Sequence, residues 1–247
     1  MLSIVRAEFD MLPLKDLIRS STTPHINRLL LAINVIIFIV YWLASSNILL
    51  SSSFQKEIEN RFVMVPATIL QGHDLYTLIT SMFLHAGWLH LLGNMLFLYI
   101  FGDNVEDAFG HLSYLTLYLF CGVLASLSDI AATMFAPNIN NLFGLQLPSD
   151  LTVGVVGASG AISGVLGAYI VLYPRARIVS IVFYFIMAVP AIVFLGVWFA
   201  LQLLYSVLDP YGGVAYFAHI GGFIVGALLA LTIGRTRKKA RELRQRL

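Results

Sequence analysis

Charged residues are scarce in this sequence. They make up 11% of its 247 residues, whereas 59% are hydrophobic and the mean hydropathy is +0.85. A soluble domain carries roughly 25% charged residues, so this shortage excludes an ordinary soluble protein and predicts an integral membrane protein. Cysteine is scarcer still: Cys121 stands alone, which excludes a disulfide within the chain, and its apolar neighbours predict a small core residue.

Long apolar runs take the place of the missing charges. A helix that crosses a bilayer needs about 20 apolar residues, and six runs of that kind predict an all-α membrane protein. No early apolar core with a small-residue cleavage site appears, so the first run is expected to be an uncleaved span. The predicted spans are Leu29–Leu50, Leu75–Phe101, Leu112–Phe135, Leu151–Tyr173, Ile178–Leu208 and Val214–Ile233.

The lysine and arginine residues are unevenly distributed. Thirteen of the fifteen fall in residues 1–28, in the link that holds Arg175 and Arg177, or in the tail 235–247. Cytoplasmic loops carry the excess of these residues, which places both termini in the cytoplasm. We therefore expect a cytoplasmic segment 1–28, a six-span domain 29–234 and a basic tail 235–247. The tail either anchors the last span or binds anionic lipid.

Four connections between the spans have distinct compositions. Ser51–Asp74 is long for a loop and contains apolar pieces, which predicts a structured flap at the membrane surface. Gly102–His111 is predicted to be an acidic turn, Ala136–Asp150 a turn-rich connection, and Asp209–Gly213 a tight turn.

Four polar residues are expected in the outer half of the membrane, at comparable depths: Ser159, His219, His90 and Asn94. Burying a polar side chain in the membrane is energetically costly, so polar residues at this depth suggest a functional site. A hydroxyl beside a general base is the minimum for acyl transfer. His90 and Asn94 are four residues apart, hence on one helix face, and can donate hydrogen bonds to an oxyanion together with a backbone N–H near the serine.

Glycines accompany the serine and the second histidine. Gly160 and Gly164 follow the serine, and Gly222 and Gly226 share a helix face with the histidine. Small residues let membrane helices pack closely. The two glycine pairs therefore predict that spans four and six bring the serine hydroxyl within reach of the imidazole.

Each residue also has a less specific interpretation. A serine in a glycine-rich span commonly bonds to its own helix, a lone histidine packs or relays protons, and a His/Asn pair can tie two helices together. Metal ligation by His85, His90 and His219 is possible, but no carboxylate or thiol joins them at close spacing, so neither metal nor cofactor is predicted. The Gly-x-Ser-x-Gly elbow of soluble hydrolases fails because its fifth position is Ala161.

A transporter is the competing class of membrane protein. Transporters show internal repeats and interrupted spans, and no repeat is evident here. Asp129 is the intramembrane carboxylate of the predicted spans, and we expect it to cap the outer end of span three rather than carry protons.

Three segments resemble the rhomboid family of intramembrane serine proteases, in order and on the expected spans. They are FLHAGWLHLLGN at 83–94, GASG at 157–160 and AHIGG at 218–222, and Trp198 and Gln202 also fit the family pattern. The resemblance extends from about residue 24 to 234. It implies a six-helix rhomboid bundle that needs no metal or cofactor.

The resemblance also implies residue roles. Ser159 would be the nucleophile and His219 the base, without a third acid. His90, Asn94 and the serine N–H would bind the oxyanion, and His85 would order the outer end of span two. The glycines that support this arrangement are Gly157, Gly160 and Gly222.

The implied reaction is hydrolysis of a peptide bond in or beside a transmembrane segment, inside a cavity open to the outside. Span five, with Pro190, would be a gate to lipid, and Asp209–Gly213 part of a cap. The implied partners are transmembrane protein substrates and the bilayer, not nucleic acid. The six-span layout without a leader favours a bacterial inner membrane, with a eukaryotic organelle as the alternative location. The alternative is a rhomboid-like protein, catalytically weak or inactive, that binds transmembrane helices.

Two positions depart from the family pattern. Ser163 stands where the family often has an aromatic residue against the catalytic histidine, so the ring of His219 must be oriented in another way. No Trp-Arg dipeptide occurs anywhere in the chain, whereas some members carry one in the first outer loop.

Overall fold

A computed structural model describes residues 11–46, 52–182 and 185–244, and this part of the chain is mostly helical. The ends of the predicted first span and tail (47–50 and 245–247), and residues 1–10, lie outside it. The helices are α1 His25–Ser45, α2 Ser52–Phe62, α3 Pro66–Leu70, α4 Thr77–Thr80, α5 Trp88–Phe109, α6 His111–Phe143, α7 Ser159–Leu172, α8 Ala191–Leu208, α9 Tyr216–Leu229 and α10 Arg235–Arg244. A 3-10 turn, Ser81–Phe83, follows α4, and a π turn, Ala230–Gly234, joins α9 to α10.

Four helical stretches of the described chain are long and apolar enough to cross a membrane: α1, α6, α8 and the continuous helix Tyr216–Ala240. A fifth candidate is the pair Thr77–Phe83 and Trp88–Phe109, which is bent by 96°. Helix α7 is apolar but only 14 residues long. The fold is therefore a multi-pass membrane bundle with four or five full-length candidates, where the sequence predicts six spans.

The predicted fourth span begins eight residues too early. Residues 151–158 are not helical, and α7 starts at Ser159. The cause is Gly157, whose φ of 128° is closed to a right-handed helix and is readily adopted by glycine alone. The serine consequently stands at the beginning of a helix rather than inside one.

Helices α5 and α6 are longer than predicted, because polar residues were interpreted as loop. The predicted acidic turn Gly102–His111 is helical to Phe109. Its Glu106 is fully buried and accepts hydrogen bonds from the N–H groups of Ile26 and Asn27, at 3.0 and 2.7 Å, at the start of α1. Those N–H groups have no partner within their own helix, so the acid ties α5 to α1.

The predicted turn-rich connection Ala136–Asp150 is also partly helical. Helix α6 continues through Pro137 to Phe143 and ends against Gly144, which has φ 68°. A glycine in the left-handed region is a common helix terminator.

A small antiparallel sheet was not predicted by the sequence. Its strands are β1 Met11–Asp16, β2 Arg177–Val182 and β3 Phe185–Pro190, in the order β1-β2-β3. The predicted fifth span therefore divides into two strands and the helix α8. Pro190 stands immediately before α8, where it avoids breaking a helix interior, and the β-branched residues at 178–182 favour strand.

The predicted flap is structured, as expected, because it contains α2 and α3. It contacts the loop before α7: the N–H of Ala67 donates to the Leu151 carbonyl at 2.9 Å, and that of Val155 donates to Met64 at 2.8 Å. These bonds fix the loop that leads into α7.

Helix α7 forms the centre of the bundle. Eleven of its 14 residues are buried, and it packs against α5, α6 and α9. Cys121 is fully buried in the same core, which confirms the prediction of a core residue. Because α7 is surrounded in this way, the position of its first residue, Ser159, is fixed.

Candidate active site

Helices α7 and α9 approach each other through their glycines. A Cβ atom added to Gly222 would overlap the carbonyl oxygen of Gly160, and one added to Gly226 would overlap that of Gly164. Neither position has room for a side chain, so the close packing that the glycine pairs predict is confirmed. Such contact lets side chains at the ends of both helices converge.

Ser159 and His219 stand at the same end of this helix pair. The serine precedes Gly160, and a Cβ atom on Gly160 would lie 3.7 Å from the Cβ of Ala218, the residue before the histidine. Ser159 is half-buried and His219 is 6% exposed. No hydrogen bond in the described part of the chain joins the two side chains; catalytic hydrogen bonds are often long before a substrate binds.

The start of α7 adds a donor to this corner. The first N–H groups of a helix have no acceptor within the helix, and the helix dipole places partial positive charge there. Because α7 begins at Ser159 rather than at Leu151, the N–H of Ser159 is one of these groups. A helix start of this kind stabilises a negative charge that develops beside the Ser159 hydroxyl.

His90 lies against the loop that leads into α7. A Cβ atom on Gly157 would lie 2.7 Å from Cε1 of the His90 ring and 3.7 Å from the hydroxyl oxygen of Ser159. The N–H of Gly157 donates to the carbonyl of Ser81 at 2.9 Å. Only glycine fits this position, and its absent side chain lets His90 stand beside Ser159.

Asn94 follows His90 by one turn of α5. It is 8% exposed, and its Nδ2 has no hydrogen-bond partner among the described residues. A buried donor without a partner is costly and calls for an explanation. His85 is 2% exposed and packs edge-on against His90, with ring centroids 5.1 Å apart, at the bend before α5.

The ring of His219 is held by α8. Its Nδ1 lies 2.9 Å from Oε1 of Gln202, and the Trp198 ring stacks on it with centroids 6.0 Å apart at 29°. An amide oxygen only accepts, so Nδ1 carries the proton and Nε2 is left as the basic nitrogen. Sequence analysis singled out Trp198 and Gln202 only through the family resemblance. A polar residue four positions after a tryptophan in an apolar span was the pattern that could have indicated their shared helix face.

Ser163 has a different contact. Its hydroxyl donates to the carbonyl of Ser159 at 2.7 Å, within α7. Ser163 therefore does not orient the ring of His219, as an aromatic residue at this position often would in the family that the sequence resembles. The ring is oriented by α8 instead.

Asp129 does not cap its own helix, and that prediction is wrong. The residue lies 14 positions before the end of α6 and is 9% exposed. Its carboxyl group lies near the backbone N–H of Ala218, in the first turn of α9. A carboxylate at a helix N-terminus is favourable, and here it holds the helix that carries His219.

Fold and site together define a multi-pass membrane bundle with a serine and a histidine brought to one end of two packed helices. The family model for the rhomboid domain matches residues 72–236. The chain belongs to the rhomboid family.

Curated relatives agree with this assignment. The chain is 30% identical over 172 residues to RHOMBOID-like protein 6, mitochondrial, of Arabidopsis thaliana, covering 67% of this chain and 46% of the relative. It is 32% identical over 179 residues to Rhomboid protein 1, mitochondrial, of Saccharomyces cerevisiae, covering 68% and 44%. It is 34% identical over 168 residues to Rhomboid protease GluP of Bacillus subtilis, covering 67% and 27%.

The matches span less than half the length of these relatives. They support an integral, multi-pass membrane protein. They do not support the expected bacterial inner membrane, because two of the three are mitochondrial proteins.

Proposed function

We propose that this protein is an intramembrane serine endopeptidase that cleaves membrane proteins in or next to their transmembrane segments. The observation that carries the proposal is the fixed ring of His219. Its Nδ1 is bonded to Gln202, and its helix is pressed by glycines against the helix that begins at Ser159. A positioned base at the same helix end as a hydroxyl is the arrangement that nucleophilic catalysis needs.

In this mechanism Ser159 Oγ attacks the scissile carbonyl carbon and its proton passes to Nε2 of His219. The carbonyl oxygen becomes an oxyanion, bound by Nδ2 of Asn94, the ring of His90 and the N–H of Ser159. The imidazolium then gives its proton to the departing amine, which leaves an acyl-enzyme. Water, deprotonated by the same nitrogen, hydrolyses the acyl-enzyme and restores the serine.

The supporting residues keep these groups in place. Gln202 and Trp198 orient the base, Gly157 admits the ring of His90, and His85 packs behind that ring. Gln202 is neutral, so the proposal is a dyad with an orienting amide rather than a charged triad. Such groups act by fixing geometry, on which catalytic rate depends steeply.

The topology belongs to the same proposal. Residues 29–234 form the protease domain, in which α7 counts as a short span to give six, and residues 1–28 and 235–247 lie in the cytoplasm. The site then opens away from the cytoplasm. Substrate helices enter beside α8, and Asp209–Gly213 forms part of a cap above the site.

The test is cleavage of a fluorescent transmembrane substrate by the purified full chain in lipid vesicles. Ser159→Ala and His219→Ala are each expected to abolish cleavage. Thr116→Ala and His73→Ala are matched controls, because the exposed Thr116 donates its hydroxyl to the carbonyl of Leu112 within its own helix and His73 is exposed. Cleavage retained by the two site variants, with all four proteins folded, rejects the dyad. Substrate binding without cleavage in the wild type would support the helix-binding alternative.

A further inference from the structure

A shallow basic cavity of about 640 Å³, wide open on one side, lies at the opposite end of α7 from Ser159. It forms where the link between α7 and β2 meets the residues after β1 and the start of α10. Three cations line it, Arg175, Arg177 and Lys238, together with apolar surface from Leu17, Leu172 and Tyr173. None of its lining residues is acidic.

The walls of this cavity are held by backbone hydrogen bonds between separate segments. The N–H of Leu17 donates to the Arg177 carbonyl at 3.0 Å, and the N–H of Ala191 donates to the Ala176 carbonyl at 2.7 Å. The link is therefore tied to the residues after β1 on one side and to α8 on the other. A cavity whose walls are fixed in this way is largely formed before a ligand arrives.

Lys238 closes a third side. Its ammonium group donates to the Leu172 carbonyl at 2.8 Å and lies 3.8 Å from the centre of the Tyr173 ring. These contacts fix a positive charge over the end of α7. The side chains of Arg175 and Arg177 are exposed and stand two residues apart on the link.

The carboxylate next to Leu17 bonds to side chains outside the cavity. Asp16, which precedes Leu17, accepts hydrogen bonds from the hydroxyl of Tyr169 and from Nδ2 of Asn104, both at 2.7 Å. Burial raises the pKa of Asp16 to about 6. Among the described residues no ion pair involves Arg175 or Arg177, so the cavity keeps the positive charge of both side chains.

The position of the cavity indicates which anion it receives. Leu172 is the last residue of the apolar helix α7, and in the proposed topology the link that follows it stands where the hydrocarbon core gives way to lipid headgroups. Leu17 is 53% exposed and continues the cavity as apolar surface. Basic pockets at this level of membrane bundles suit anionic headgroups.

We propose that this cavity binds the phosphate group of an anionic lipid, with Arg175 and Arg177 as its main contacts and Lys238 as a fixed third charge. The same chemistry would accept a soluble phosphate, so the two sources must be separated. The proposal goes beyond the proteolytic function, since none of these residues contacts Ser159 or His219.

The experiment counts bound lipid by native mass spectrometry of the full chain, titrated with phosphatidylglycerol or phosphatidylcholine. One saturable phosphatidylglycerol site is expected in the wild type, and the Arg175→Gln/Arg177→Gln variant is expected to bind it about tenfold more weakly. The matched control is Arg235→Gln/Lys239→Gln, which removes two equally exposed charges from the tail beside the cavity and should stay within about twofold of wild type.

Several outcomes would overturn the proposal. Equal loss in both double variants would show a diffuse charge effect, and equal retention of both lipids by the wild type would show that no headgroup is selected. Displacement of phosphatidylglycerol by millimolar inorganic phosphate would assign the cavity to a soluble ligand. Should the double variant fail to fold, Arg175→Gln alone is expected to weaken phosphatidylglycerol binding, and unchanged binding would count against the site.

Discussion

The side-chain oxygen of Gln202 accepts a hydrogen bond from Nδ1 of His219 at 2.9 Å, across the contact between α8 and α9. The proposed base is thus oriented by the helix that is proposed to admit substrate. Movement of α8 away from the bundle would release the imidazole, and its return would restore the orientation. Under the proposed function, substrate entry and assembly of the base would therefore be coupled.

Gln202→Leu should lower kcat by about fivefold and leave KM nearly unchanged, since one orienting hydrogen bond is worth ~1 kcal/mol. Gln202→Glu should recover much of the rate, because a carboxylate also accepts from Nδ1. Steady-state cleavage of a transmembrane substrate checks both variants. Ser206→Ala, one turn along α8 with its hydroxyl bonded to Leu203, is the control. A rise in KM with kcat unchanged, or an equal loss of kcat in the Leu and Glu variants, would contradict an orienting role.

Asn94→Leu should reduce kcat by about a hundredfold, because an oxyanion donor is typically worth ~3 kcal/mol of barrier. The melting temperature should hold or rise, since the substitution removes a buried amide nitrogen that has no partner among the described residues. Parallel kinetics and thermal unfolding in detergent measure the two effects. An Asn94 variant that melts earlier yet cleaves normally would assign the residue to packing instead.

Gly226→Ala should destabilise the bundle by ~1–3 kcal/mol, the usual cost of overpacking. Its new methyl group would overlap the carbonyl oxygen of Gly164. Gly196→Ala is the matched control on α8, where a Cβ atom would have no neighbour within 4 Å. Unfolding curves of both variants test the contact. Similar stabilities for the two would mean that α7 and α9 are not pressed together at this point.

Asp129→Leu should lower cleavage by about tenfold, because the backbone N–H of Ala218, at the start of the helix that carries the base, loses the carboxyl group beside it. Asp129→Asn should keep most of the rate, as an amide oxygen leaves a polar group in the same place. The measurement is kcat in vesicles, with folding checked by melting temperature. Full activity in Asp129→Leu would remove Asp129 from the positioning network.

Stability should fall as the pH rises from about 4 to about 6, in part through Asp16. Burial raises the pKa of its folded-state carboxyl from 3.8 to about 6, so the folded protein holds a proton that the unfolded chain has released. The contribution is complete below the unfolded pKa and is lost as the pH passes the folded one. Melting curves of wild type and Asp16→Asn across this range should diverge. A constant difference between them would exclude Asp16 as the titrating group.

Two local patterns in the sequence led to correct predictions. Apolar length indicated a membrane bundle, and the spacing of Gly160 with Gly164 and of Gly222 with Gly226 indicated close packing. Both depend on residues near each other in the chain, which a helix of known period places on one face. The order of the three rhomboid-like segments likewise identified the family.

The tertiary structure alone decided how the site is assembled. Helix α7 starts at Ser159 because of the φ angle of Gly157. Gln202 holds the proposed base because α8 faces α9. Asp129 lies near Ala218 because α6 passes the start of α9. The three-stranded sheet joins segments more than 150 residues apart. Long-range packing determines such partners. A local sequence pattern does not indicate which distant backbone or side chain a polar group will contact.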